Sequence, residues 1–251
     1  MYPGREEVGQ RSETVRRANL SAIVRALHLR GPLSRSELVA RTGLTRSAIR
    51  ALVGELVAGE IVAEEPAVRL GTPGRPSPLV CLIAENAVVL ALEDAVDSLA
   101  VAVVGAGGAG LEHRRVDRPR GHSTVEEIVG DLVELVAAVR ARRPIDEVPI
   151  RIGVAVAGIV NRSDGVVAFA PNLGWLDAPL GDRLAEALAL PVPVEVGNES
   201  DLGALAEFRR GAARGADDVL YVHGEVGVGG GIIVDGRPLG GIAGYGGEIG
   251  H

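Results

Sequence analysis

Residues 31–63, GPLSRSELVARTGLTRSAIRALVGELVAGEIVA, constrain the fold more than any other stretch of the chain. Ser34 and Glu37 stand at the spacing of a capping box, in which two side chains satisfy free amides at a helix start. The spacing predicts a short helix running to about Arg41. Gly43 supplies a tight turn, and Thr45 is placed to cap a second helix. Ile49, Leu52, Val53 and Leu56 then recur at i, i+3, i+4 and i+7, the period of one buried helical face. The pair reads as a helix-turn-helix, with Gly59 closing the second helix. Arg46, Ser47 and Arg50 fall on or near the opposite face, at the helix end that meets base edges in the major groove. Arginine pairs there with the acceptors of guanine. Arg35, Ser36 and Thr45 complete the candidate DNA-facing set. A small helical pair with solvated arginines would show the same spacing.

The charge map separates those two readings. Residues 1–82 carry a net +4 and residues 83–251 a net −11, within a total of −7. Residues 1–50 alone reach +6. A basic head on an acidic body suits a module that neutralises phosphates and releases their counterions.

Composition narrows the classes further. Aromatic residues make up 2% of the chain, too few for the stacking platforms of a single-strand binder. Every basic residue other than histidine is arginine, so neither a phosphate loop built on lysine nor Schiff-base chemistry is available. Cys81 is the only cysteine, which excludes an internal disulfide. With no signal-like segment and no apolar run long enough to span a bilayer, the chain reads as cytoplasmic, with no membrane partner.

Along the chain, a helix is expected over residues 14–30, with Leu20, Ile23, Val24 and Leu27 on one face. Short strands at 61–63 and 79–83 read as a β-hairpin wing. Between them lies Gly71-Thr-Pro-Gly-Arg-Pro-Ser-Pro78, too rich in Pro and Gly for a helix or a central strand. Arg75 in that loop is either a contact to DNA or part of a plain linker. Beyond residue 83, strands alternate with helices, which implies an α/β body with both faces of a sheet covered. Ser123 and Glu126 are spaced to cap its longest helix. The organisation expected is therefore a DNA-binding domain over residues 1–82 and an α/β domain over residues 83–251.

Two glycine clusters look like chemistry. Gly105-x-Gly107-x-x-Gly110 matches a dinucleotide fingerprint literally, but that fingerprint must open a helix, and Leu-Glu-His-Arg-Arg-Val-Asp-Arg-Pro is no helix start. The run from His223 to Ile232 reads as a glycine hairpin, either a backbone cradle for a ligand or a flexible turn. Three polar clusters sit beside apolar strands: Asn172-Leu-Gly-Trp175, Gly197-Asn-Glu-Ser-Asp201 and Glu248-Ile-Gly-His251. Amides and carboxylates at strand ends suit a polyhydroxylated ligand, because each hydroxyl needs both donors and acceptors. Taken singly, each cluster reads equally as a cap or a turn.

In this order, the winged helix-turn-helix, Gly74-Arg75-Pro76, Asn172-Leu-Gly-Trp175, Asn198-Glu199, the glycine hairpin and Gly247-Glu-Ile-Gly-His251 resemble the ROK family of sugar kinases and sugar-responsive repressors. The resemblance covers nearly the whole chain. It implies an actin-like (ribonuclease H-like) fold of two lobes with a sugar in the cleft, contacted by Asn172, Asn198, Glu199, Glu248 and His251. His251 also matches a zinc ligand. The family's cysteine-rich zinc motif follows that position and is absent here, so the resemblance implies a truncated second lobe and no cofactor in this chain. Zinc is expected only in a full-length form that has the missing cysteines, since a structural site needs about four ligands.

The departures from the family bear on kinase against repressor. Where its kinases carry a catalytic aspartate, this chain has Glu199, and a displacement near 1 Å can cost on the order of a hundredfold in rate. The kinases' Asp-x-Gly-x-Thr phosphate motif matches Glu93-Asp94-Ala95-Val96-Asp97, in which Ala95 crowds and Asp97 repels a phosphate. Glu225 puts a further carboxylate in the glycine hairpin. The sequence thus predicts a repressor of carbohydrate metabolism that binds double-stranded operator DNA and a small sugar or sugar phosphate, as a homodimer when full length. The alternatives are an active ATP-dependent sugar kinase with a DNA-binding head, and a sugar-binding module without a DNA role.

Overall fold

The computed structural model describes residues 6–66, 78–145, 150–161, 163–241 and 244–250. They form two compact units, Met1–Ala87 with Gly105–Ala109, and Val88–Val104 with Gly110–His251.

The first unit holds α1 (Glu6–Arg30), β1 (Leu33–Ser34), α2 (Arg35–Thr42), α3 (Arg46–Ala58), β2 (Val62–Glu65) and β3 (Leu79–Leu82). The capping box forms as its spacing predicts: the amide of Glu37 donates to Ser34 Oγ, and the amide of Ser34 donates to Glu37 Oε2. Gly43 closes α2 in the left-handed region at φ 70°, which costs glycine no Cβ clash. Thr45 caps α3 by accepting from the amide of Ala48 at 3.2 Å. All four periodic residues of α3 are buried, and they join Ile23, Leu27, Leu33, Leu38, Val62 and Val80 in one core.

Two details differ from the sequence reading. α1 begins at Glu6, eight residues before the expected start at Thr14. The wing has a third strand, because β1 pairs with β3 on the side opposite β2 to give the order β1-β3-β2. The Gly-Pro loop with Arg75 lies outside the described residues.

The second unit is built on a five-stranded sheet in the order β11-β7-β4-β5-β6. Its strands are β4 (Val88–Ala95), β5 (Ser98–Gly105), β6 (Gly110–Asp117), β7 (Ile150–Val156) and β11 (Val194–Asn198). β4, β7 and β11 run parallel, while β6 returns antiparallel to β5. Two helices, α4 (Val125–Arg142) and α5 (Leu180–Leu188), pack with it in one core. That core joins Leu90, Leu92, Val101, Ile152 and Val154 to Leu132, Val136 and Leu184. Strands β8 (Ile159–Asn161), β9 (Val166–Ala170) and β10 (Trp175–Ala178) make an antiparallel sheet. After α6 (Glu199–Arg210) come β12 (Val219–Gly224), β13 (Val228–Val234) and β14 (Arg237–Pro238), a further antiparallel sheet.

Three sequence expectations are corrected here. α4 is capped by Thr124 and Glu127, one residue beyond the expected Ser123 and Glu126. The sequence pattern predicts a helix over Asp201–Arg214; α6 instead begins at Glu199, with Asn198 as its cap, and ends at Arg210. Gly229, Gly230 and Gly231 lie within β13, so the hairpin turn is only Glu225-Val226-Gly227. The Gly105–Gly110 fingerprint opens no helix; a single 3-10 turn leads into β6.

The glycines of β13 have a packing reason. A Cβ on Gly231 would lie 2.4 Å from the carbonyl oxygen of Ser200 and 2.6 Å from the Cβ of Ala204. α6 therefore lies against β13 closer than any side chain would allow, and this fixes the start of α6 beside the hairpin.

Candidate functional site

β7 and β11 run parallel, so their carboxyl ends open on one edge of the sheet, the position where ligands bind in open α/β folds. The loop after β7, the end of β11 and the β12–β13 hairpin there enclose a cleft of about 260 Å³. Four of the five residues expected to touch a sugar line it: Asn172, Asn198, Glu199 and Glu248. The fifth, His251, lies outside the described residues.

Local structure explains each position. In the Asn172–Trp175 turn, Leu173 and Trp175 are buried, and the indole donates to the carbonyl of Ser123 at 2.7 Å. Those anchors leave Asn172 exposed toward the cleft. Asn198 holds the turn into α6: its Oδ1 accepts from the amides of Ser200 and Asp201, and its Nδ2 donates to the carbonyl of Gly158. One amide hydrogen of Asn198 remains for a ligand. Glu248 is carried by a glycine-rich turn whose backbone lies against β13, where a Cβ on Gly247 would strike the Gly230 carbonyl.

Glu199 is the most perturbed lining group. Burial pushes its carboxyl up from the ordinary range, and Glu225 and Glu93 push the same way, against an opposing pull from His223. The imidazole of His223 lies between two carboxylates, with Nδ1 at 3.7 Å from Glu199 Oε1 and Nε2 at 3.7 Å from Glu225 Oε1. Both separations are too long for hydrogen bonds. His223 and Phe169 also line the cleft, and neither was singled out as a site residue by sequence reading. Alternation along β12 places His223 on the face shared by Val219 and Tyr221, the signal that would have found it.

In the stretch Glu93–Asp97, the carboxylate expected to repel a phosphate, Asp97, has a cation beside it. Arg120 Nη2 lies 3.1 Å from Asp97 Oδ2 and partly offsets it. Among the described residues no three His, Cys, Asp or Glu side chains converge on a common point, and His251, the residue matched to a zinc ligand, lies outside them. Cys81 sits on β3.

In the first unit, Arg46, Ser47, Arg50, Ala51 and Gly54 line a shallow concavity on the outer face of α3. Arg46, Ser47 and Arg50 are all exposed. The other predicted DNA-facing residues have structural partners. Arg35 is ion-paired with Glu64 at 2.8 Å, Ser36 Oγ is 3.2 Å from Ser34 Oγ, and Thr45 caps α3. No helix among the described residues is long and apolar enough to cross a membrane.

Comparison with known proteins follows the same division. The profile of the ROK family matches residues 89–251. The xylose repressor of Bacillus spizizenii is 27% identical over 241 residues, covering 94% of this chain and 60% of that protein. A glucokinase of Halalkalibacterium halodurans is 42% identical over 102 residues, covering 41% of this chain and 30% of that protein. This chain thus spans less than two thirds of either relative.

Among solved structures, a ROK family transcriptional regulator, homologous to the E. coli MLC protein, superposes with a TM-score of 0.70. It shares 24% identity over 94% of this chain and 59% of its own. A ROK family glucokinase from Streptomyces griseus, in complex with glucose and AMPPNP, reaches a TM-score of 0.57. It shares 30% identity over 65% of this chain and 50% of its own. The fold is accordingly α/β with an actin-like body, as the sequence implied.

Proposed function

Because the chain belongs to the ROK family, we propose that it is a sugar-responsive transcriptional repressor of carbohydrate metabolism. On this reading the first unit is a winged helix-turn-helix that binds double-stranded operator DNA through Arg46, Ser47 and Arg50. The cleft of the second unit takes a sugar through Asn172, Asn198, Glu199 and Glu248. The observation that carries the proposal is coverage. The alignment to a xylose repressor runs through both units, whereas the glucokinase alignments cover at most 65% of the chain. Binding as a homodimer to a two-fold operator belongs to the same proposal.

The first unit suits this role electrostatically. The guanidinium groups of Arg46 and Arg50 project from the start of α3, and no described residue pairs with either. Each bidentate arginine–guanine contact is worth about 1–3 kcal/mol of discrimination. Selection from a random-sequence duplex library, followed by fluorescence anisotropy, tests the reading. It should enrich one two-fold motif, and the double variant Arg46→Ala, Arg50→Ala should lose that preference and flatten the salt dependence. No enriched motif, or a variant that still discriminates, overturns it.

A kinase reading has its own supporting observation: a partly buried carboxylate, Glu199, with its affinity for protons raised, sits in the cleft where a base would take a hydroxyl proton. Ala95, Asp97 and Glu225 weigh against it, because they match positions that serve the phosphates of ATP in the family's kinases. The repressor reading expects no ATP-dependent phosphorylation of a hexose panel, and turnover in that assay would favour the kinase.

A further inference from the structure

The charge of the cleft decides between the two sugar classes that the repressor reading leaves open. Among the described residues its lining carries three carboxylates, Glu199, Glu225 and Glu248, one imidazole, His223, and no arginine. The chain has no lysine to supply a cation from elsewhere. Arg118, the guanidinium that reaches β4, is committed to Asp94 at 2.6 Å. The neutral groups on the wall, Asn172 and Asn198, satisfy hydroxyls without altering the balance.

We propose that the cleft selects uncharged and cationic sugars and excludes phosphorylated ones, with Glu225 at the hairpin tip setting that selectivity. This rests on the cleft being the sugar site proposed above. Ionised carboxylates accept strongly from sugar hydroxyls, and they attract an ammonium group. They repel a phosphate, which carries about −1.5 to −2 at neutral pH. Like charges repel more strongly in a partly dehydrated cleft than in bulk water, so each of the three carboxylates opposes a phosphate. Glu225 is the carboxylate with most freedom to meet a phosphate, being half-exposed on a three-residue turn. The raised proton affinity of Glu199, caused in part by Glu225 and Glu93, reflects the same negative potential.

A charge ladder at fixed ring shape tests this on the full chain. Glucosamine, glucose and glucose 6-phosphate form one series, and mannosamine, mannose and mannose 6-phosphate a second. Titration calorimetry is run at low and at physiological salt. The expected order within whichever series binds is amine, then neutral sugar, then phosphate, with at least about a tenfold gap between the last two that narrows as salt rises. Glu225→Gln, which keeps the shape and removes the charge, should shrink that gap severalfold. A phosphate that binds as tightly as its parent sugar overturns the selectivity, and a gap unchanged in Glu225→Gln overturns the role of Glu225. If none of the six compounds binds, the sugar-site reading fails and this inference with it.

Discussion

Nη2 of Arg118 donates to Oδ1 of Asp94 at 2.6 Å, and Asp94 is wholly shielded from solvent. The same nitrogen donates to the carbonyl of Ala95, so the pair ties the segment after β6 to the end of β4, next to the cleft. The other carboxylate oxygen, Oδ2, has no hydrogen-bond partner among the described residues. An arginine that meets only half of a buried carboxylate does not offset its loss of water.

Burial consequently pushes Asp94 up to about 7, against the pull of Arg118 and with help from Glu199. The sign follows from linkage. Between the ordinary value of 3.8 and about 7, the folded chain holds a proton that the unfolded chain has released, so stability falls as pH rises through that window and levels off above it. Burial of Glu199 acts in the same direction. The capping carboxylates Glu37 and Glu127 are held below their ordinary range by bonds from Ser34 and Thr124, so their contribution fades only in more acid solution. Urea unfolding from pH 5 to 8 should show stability declining toward pH 7, with a shallower decline in Asp94→Asn. An equal slope in both proteins would rule out Asp94 as the titrating group.

Thr45 caps α3 as its position predicts: its hydroxyl accepts from the amide of Ala48 and lies 3.0 Å from Ser47 Oγ. Loss of such a cap costs typically about 1 kcal/mol. Thr45→Ala should therefore lower the stability of the first unit by about that amount, while Thr45→Ser, which retains the acceptor, stays close to wild type. Hydrogen exchange at the amides of residues 46–49 reads this locally. Unchanged protection in the alanine variant would show that the cap contributes nothing.

The pattern of what the sequence revealed follows interaction range. The Ser34–Glu37 capping box and the Ile49–Leu56 stripe were legible because every partner lies within a few residues. The α4 cap was misplaced by one position because Ser123 and Thr124 each have a glutamate three residues on, and local chemistry cannot choose between them. Tertiary structure chooses, since Trp175 uses the carbonyl of Ser123. Asn198 was read as either a sugar contact or a cap, and its work as a cap depends on where α6 begins. The contacts of His223 with Glu199 and Glu225, and of Arg118 with Asp94, join residues far apart in sequence or on different elements, and no periodicity encodes them.

Gly231 and Gly130 make a paired test of that same limit, since by composition alone both are simply glycines. A Cβ at Gly231 meets the backbone of Ser200 and the Cβ of Ala204, both within 2.6 Å, and the backbone of α6 cannot give way locally. Gly231→Ala should destabilise the second unit by about 1–3 kcal/mol, the usual cost of overpacking. It should also weaken any cleft ligand, because Glu199 and Ser200 move with the helix. Gly130 lies exposed within α4 with nothing within 4 Å of a Cβ. There the added methyl restricts only the unfolded chain and favours helix, so Gly130→Ala should stabilise by about 0.5–1 kcal/mol. Chemical denaturation of both variants reads the two signs directly. A Gly231→Ala protein as stable as wild type would mean that α6 and β13 are farther apart than their glycines require.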